Sequence, residues 1–154
     1  MVEIPKVTLN TDLNEGFCFG CGVNNPMGLK LKFTRDGEVL RTEFTPDKMH
    51  QGWPGLLHGG ILATVLDEVM SNVAYATGLT CLTASMEVRQ RKPININETL
   101  VLTAWITRKR SKIIETAAKA CLKDGTVVAE SAAKQFIAEN VAGKEKVEEN
   151  RSHV

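Results

Sequence analysis

Aromatic residues are scarce, at 5% of the 154-residue chain, so nothing marks a stacking site for bases or other ring-bearing ligands. No apolar run approaches the roughly 18 residues that a membrane-crossing helix needs, and the opening MVEIPKVTLNTDLNEG lacks the apolar core of a secretory signal. The expected location is cytoplasmic. An excess of one charge is missing too: 19 Lys and Arg against 18 Asp and Glu leave a formal net charge of +1. The whole-molecule field therefore gathers neither nucleic acid nor an anionic membrane, and an anion site has to come from a local cluster. Four cysteines, Cys18, Cys21, Cys81 and Cys121, are too few and too scattered for a secreted disulfide scaffold, so reduced thiols are expected. No internal repeat is present. What remains, 43% hydrophobic and 24% charged, is the composition of one soluble globular domain.

Residues 1–28 read as a polar, glycine-rich lead-in that closes through Asn24-Asn25-Pro26-Met27-Gly28, residues 29–140 as the domain, and residues 141–154 as a charged, flexible tail. Leu29 to Phe33 alternates apolar and polar, the period of a half-buried strand. Asp36-Gly37 then predicts a hairpin into Glu38 to Phe44. Pro46, Gly52, Pro54 and Gly55 forbid a long regular element over 45–57. From Gly59 to Ala76, residues Ile61, Leu62, Val65, Leu66, Val69, Met70 and Val73 share one helical face. Four strand-like runs follow, over 82–91, 99–108, 113–122 and 127–138, separated by short turn clusters such as Asp124-Gly125. Ala117, Ala118 and Ala120 leave the third run ambiguous with helix, and its flanking turns favour strand. The fold class is α+β, an antiparallel sheet with one long helix on one face. Uncovered sheet and free edges make self-association the expectation.

The chemistry-bearing stretch is His58-Gly59-Gly60 at the start of that helix. Backbone N–H groups there lack intrahelical acceptors and sit at the positive end of the helix dipole, and glycine lets a substrate approach them. One such donor aimed at a developing oxyanion is worth about 2.7–4 kcal/mol. Asp67 lies on the border of the apolar arc, half shielded from water, where a carboxylate can act as general base or nucleophile. Glu68 points elsewhere, so the two acids are not a paired dyad. No serine sits in a Gly-x-Ser-x-Gly elbow, and His50, His58 and His153 lack metal-ligand spacing. His58 itself reads as a residue that fixes the turn.

The run HGGILATVLDE, preceded by Trp-Pro-Gly and followed by strands, resembles the hotdog-fold acyl-CoA thioesterases, the group that includes the phenylacetate-pathway and thioesterase-superfamily-member proteins. The resemblance spans roughly residues 17 to 138 and includes Cys-Phe-Gly-Cys-Gly and Asn-Pro-Met-Gly-Leu in the lead-in. It implies a sheet wrapped around the helix, with Gly59 supplying the oxyanion N–H and Asp67, nine residues after the histidine, as base or nucleophile. Thr83, a hydroxyl entering the strand after the helix, is implied to hold the water or the acid. Many relatives carry an amide seven residues before the oxyanion glycine; here that place is Gly52, leaving Gln51 or His50 to substitute. The resemblance further implies an acyl-CoA substrate, a homodimer or a dimer of dimers, and a site in which Gly59 of one chain faces Asp67 of the other. Gly60 then borders the substrate, and Arg89, Arg91 and Lys92 at a strand end and Lys109 and Lys112 at a hairpin are the cations for coenzyme A phosphates. No cofactor is expected.

The main rival is a non-catalytic acyl-CoA-binding regulator on the same fold, which needs the cleft and the glycine but not Asp67. From a different class, Cys18-Phe-Gly-Cys21 is half of a zinc site or a redox pair. Its second half is missing, since Cys81 and Cys121 are single, and no metal site is expected.

Overall fold

Alternation and turn chemistry place the strands. In the computed structural model, which describes residues 4–9 and 15–140, the chain runs β1 (Thr8–Leu9), β2 (Phe33–Asp36), β3 (Val39–Phe44), a 3₁₀ turn (Lys48–His50), α1 (Gly59–Tyr75), β4 (Cys81–Gln90), β5 (Leu100–Lys109), β6 (Ile113–Leu122), β7 (Val127–Ile137) and β8 (Glu139–Asn140). The charged tail expected over 141–154 lies outside the described residues. Six strands form one antiparallel sheet in the order β2-β3-β5-β6-β7-β4, and β1 pairs with β8 in a separate two-stranded ribbon. One helix against one antiparallel sheet is the α+β architecture expected from the sequence.

The alanine-rich third run is a strand because its period is two. Ile114, Thr116, Ala118 and Ala120 are buried on one face while the intervening residues keep more exposure, and β5 and β7 flank it in register on both sides. Alanines on that face leave room for the helix to approach. In α1 the buried set is Leu62, Val65, Leu66, Val69, Met70, Val73 and Ala74, the three-and-four spacing of one helical face, and all of these but Ala74 join Leu100, Leu102, Ala118, Ala120 and Val128 in a single core. The helix ends where Gly78 takes a positive φ of 88°, with Leu79 N–H closing onto Ala74 O at 3.2 Å. Among the described residues no helix is long and apolar enough to cross a membrane.

One strand is displaced from its expected place. Leu29 to Lys32 alternate as a strand should, with Leu31 buried and Lys30 and Lys32 exposed, yet the ladder with β3 begins only at Phe33. Lys30 bends the chain with a φ of 53°, and the N–H groups of Leu29 and Leu31 bond to Phe19 O and Gly20 O of the lead-in at 2.8 and 2.9 Å. Alternation gives a segment's phase and is silent on its partner. The hairpin itself is present, with Gly37 at a φ of 59° between the paired residues Asp36 and Val39.

Leu66 has no exposed surface and sits in the middle of the core face of α1. Leu66→Ala is expected to lower stability by about 2–5 kcal/mol in urea denaturation, with an unchanged denaturant slope.

Candidate active site

His58 caps α1 and thereby sorts the N–H groups at its start. Its Nδ1 accepts the Gly60 N–H at 2.9 Å, and its carbonyl accepts those of Ile61 and Leu62 at 3.1 Å. An accepting Nδ1 carries no proton. Among the described residues the Gly59 N–H has no acceptor, so it is the donor left at the positive end of the helix. The glycines differ in the same sense. A Cβ at Gly59 would meet nothing within 4 Å, whereas one at Gly60 would lie 3.0 Å from the His58 ring. Gly60 makes room for the cap, and Gly59 faces open space.

That space is a cleft of about 780 Å³ whose walls include Gly52, Trp53, His58, Gly59, Arg91 and Lys92. Arg91 places Nε and Nη2 on Glu130 Oε2 at 2.9 and 2.7 Å, so its charge is already partly matched. Arg89 pairs with Glu87 on its own strand and faces a separate depression shared with Glu130. Lys109 and Lys112 flank the β5–β6 turn, at the end of the sheet where Thr83 pairs with Gln135, away from the cleft of their own chain. The structure also occupies the two loop candidates. His50 Nδ1 accepts the Asp47 N–H at 2.9 Å with its ring edge-on to Phe44, and Gln51 Oε1 accepts the Gly55 N–H at 3.2 Å. Both hold the loop in shape rather than line the cleft.

Asp67 is half-buried on the flank of α1 that faces β4, where Thr83 Oγ1 donates to its Oδ1 at 2.6 Å. Behind Thr83 stands Gln135, entirely buried, which sequence reasoning missed. Its Nε2 donates to Ser71 Oγ at 3.0 Å and to Thr83 Oγ1 at 3.4 Å, and its Oε1 lies 3.5 Å from Thr116 Oγ1. With a donor on its oxygen, the Thr83 hydroxyl directs its single proton to Asp67. The available signal was phase: Gln135 continues the buried positions Ala129, Ser131 and Ala133 of β7, where an amide needs partners. Glu68 takes the other flank of α1, with Cys18 Sγ donating to its Oε1 at 3.4 Å. Burial, together with Glu68 alongside, pushes the Cys21 thiol well up, which makes it a poor nucleophile.

The thioesterase superfamily model matches residues 54–129, a span that contains the Gly59 helix start, Asp67 and Thr83. Over that span, just under half of the chain, the sequence is similar to the thioesterase superfamily. A Bos taurus relative, acyl-coenzyme A thioesterase THEM4, is 26% identical over 106 residues, covering 68% of this chain and 44% of the relative. The chain thus spans less than half the length of that protein. A solved thioesterase superfamily protein superposes with a TM-score of 0.73 at 25% identity, over 79% of this chain and 60% of that one. A Streptococcus mutans protein solved with acetyl CoA gives a TM-score of 0.67 at 14% identity, over 71% and 90% of the two chains, which establishes the shared fold. The sheet wrapped on a single helix is therefore the hotdog architecture of the thioesterase superfamily, as the resemblance implied.

The two glycines separate by stability. Gly60→Ala crowds the capping imidazole and is expected to lose about 0.5–2 kcal/mol, the range for a lost cap, in urea denaturation. Gly59→Ala meets no neighbour and is expected to leave stability unchanged or to raise it by up to about 1 kcal/mol.

Proposed function

We propose that this chain hydrolyses the thioester of an acyl-coenzyme A, in a site that two copies share. The observation that carries the reading is the half-buried Asp67 carboxylate, with one oxygen fixed by Thr83, on the same helix as Gly59, whose N–H has no acceptor among the described residues and which lines a cleft. In the proposed reaction the Gly59 N–H stabilises the oxyanion that forms as the thioester carbonyl is attacked. Asp67, through its second oxygen, takes a proton from the attacking water. The C–O bond forms, the C–S bond breaks, and the proton passes to the departing coenzyme A sulfur. Arg91 and Lys92 at the cleft mouth serve the coenzyme A phosphates, with Arg91 sharing its charge between them and Glu130. The superfamily match over residues 54–129, the bovine relative's name and the acetyl CoA bound to the Streptococcus mutans neighbour support this substrate class.

Helix geometry supports the sharing. Gly59 and Asp67 are eight residues apart on α1, about 12 Å along the axis at 1.5 Å per residue. One carbonyl group needs its oxyanion donor and its attacking water each about 3 Å away, with the base one hydrogen bond beyond the water, a convergence that the axial offset of about 12 Å within one chain opposes and that a second copy can supply. The edge strand β4 offers the place for a second copy, since among the described residues it is hydrogen-bonded on one side only, to β7.

Asp67→Asn keeps the shape of the side chain and removes the base. Its kcat on a panel of short, medium, long and aromatic acyl-CoAs, followed by thiol release, is expected to fall by about 10²–10⁴-fold with the fold and coenzyme A binding retained. Unchanged turnover would overturn Asp67 as the base, and no thiol release by the wild-type chain on any member of the panel would overturn the hydrolase reading in favour of a binding protein. A subunit-mixing experiment tests the sharing. Chains with Gly59→Val and chains with Asp67→Asn, each inactive alone, are expected on co-refolding to recover about a quarter of wild-type activity, because half of the dimers are mixed and each mixed dimer holds one intact site. No recovery, with mixed dimers shown to form, would place the whole site in one chain.

A further inference from the structure

On the flank of α1 opposite Asp67, the lead-in turn sets a second group of donors that the thioesterase reading leaves unused. Cys18 Sγ, Cys21 Sγ and a carboxylate oxygen of Glu68 all lie within 4.8 Å of one another. We propose that Cys18, Cys21 and Glu68 bind one divalent ion of the zinc class, which clamps the lead-in turn onto the helix that carries Asp67.

Three features of the structure support this. The first is the turn. In Cys18-Phe19-Gly20-Cys21-Gly22 the Gly22 N–H returns to Cys18 O at 2.8 Å, and Phe19 O and Gly20 O accept from Leu29 and Leu31, so the segment bearing both thiols is already closed and anchored. The second is the glycine in its middle. A Cβ at Gly20 would fall 2.4 Å from Glu68 Cδ, so only glycine lets the carboxylate pack against the turn between the two sulfurs. The third is the support behind the carboxylate. Asn72 Nδ2 donates to Glu68 Oε1 at 3.0 Å and to Glu68 O at 2.8 Å, the kind of outer contact that orients a metal-binding carboxylate. Among the described residues no cationic side chain forms an ion pair with Glu68, so none of them supplies the charge that would balance it.

The donor set specifies the ion. Zinc bonds of about 2.3 Å to sulfur and 2.0–2.2 Å to carboxylate oxygen place tetrahedral donors roughly 3.5–3.8 Å apart, so closing the site takes movements of about 1 Å. Two thiolates select zinc over magnesium or calcium, and the fourth position falls to water. Each thiol releases its proton to solvent as its sulfur binds, so binding tightens as pH rises. The sequence showed only the Cys-x-x-Cys half of this site, because Glu68 lies fifty residues further on.

The full chain, prepared under reducing conditions and stripped of metal, is titrated with Co²⁺ and then with Zn²⁺. One Co²⁺ per chain is expected, with the near-ultraviolet thiolate-to-cobalt band and the visible bands of a tetrahedral ion, both lost when Zn²⁺ is added. Zn²⁺ is further expected to raise the melting temperature and EDTA to reverse the rise. Glu68→Gln is expected to weaken Zn²⁺ binding at least tenfold against a chromophoric chelator, and Cys21→Ser to abolish the charge-transfer band. Absence of that band in the reduced wild-type chain would overturn the proposal, as would Glu68→Gln binding Zn²⁺ with wild-type affinity. Because the first readout uses the unmodified chain, a variant that fails to fold does not obscure the result.

Discussion

Leu62, Val65, Leu66, Val69 and Met70 of α1 retain at most 1% of their surface, and each such side chain contributes roughly 1.5–3 kcal/mol by leaving water. That packing fixes the rotation of the helix about its axis, and most of what the molecule presents elsewhere depends on it. Successive helical residues point about 100° apart. With the apolar arc locked against the sheet, Asp67 and Glu68 are sent to opposite flanks, one meeting Thr83 on β4 and the other meeting Cys18 in the lead-in turn. Rotation by one residue would bring Glu68 to the place of Asp67, turn Asp67 toward the core and expose part of the core face, so the hydrophobic seam orients both carboxylates.

A second constraint is polar. Gln135 has no exposed surface, and a buried amide without partners is unfavourable by about 1–3 kcal/mol per unsatisfied group. Its contacts reach Ser71 on α1, Thr83 on β4 and Thr116 on β6, so one side chain on β7 ties three other elements together. The net stabilisation from such hydrogen bonds is small, about 1 kcal/mol each. Their larger effect is directional. A threonine hydroxyl has one proton, and occupying its oxygen from behind leaves Asp67 Oδ1 to receive it. One carboxylate oxygen is thus held in place while the other stays available.

The elements were legible where a local rule governs them. Period 3.6 set the helix to within a residue of its end, and turn residues set β6 at its observed limits, Ile113 and Leu122. Legibility failed where a partner is distant in sequence. Leu29 to Lys32 have the right phase for a strand and bond instead to a turn ten residues earlier. His50 and Gln51 have the right chemistry for a ligand, yet His50 Nδ1 and Gln51 Oε1 accept the N–H groups of Asp47 and Gly55 in their own loop. Gln135 could not be singled out, because its value comes from residues nineteen, fifty-two and sixty-four positions away. Gly59 and Asp67 were legible as a motif on one helix, but which N–H is free depends on where the His58 ring lies.

The edges of the sheet bear on the proposed sharing of the site. β2 closes one edge with four residues, short enough to be a poor template for another chain, whereas β4 closes the other with ten. If two copies pair antiparallel along β4 about its midpoint, between Ser85 and Met86, the Cys81 end of one strand meets the Gln90 end of the other. Thr83, and with it Asp67, then lies opposite Val88, a few residues from the Arg91 and Lys92 that border the Gly59 cleft. The pairing that would satisfy the exposed edge would also carry the proposed base of one copy toward the proposed oxyanion donor of the other.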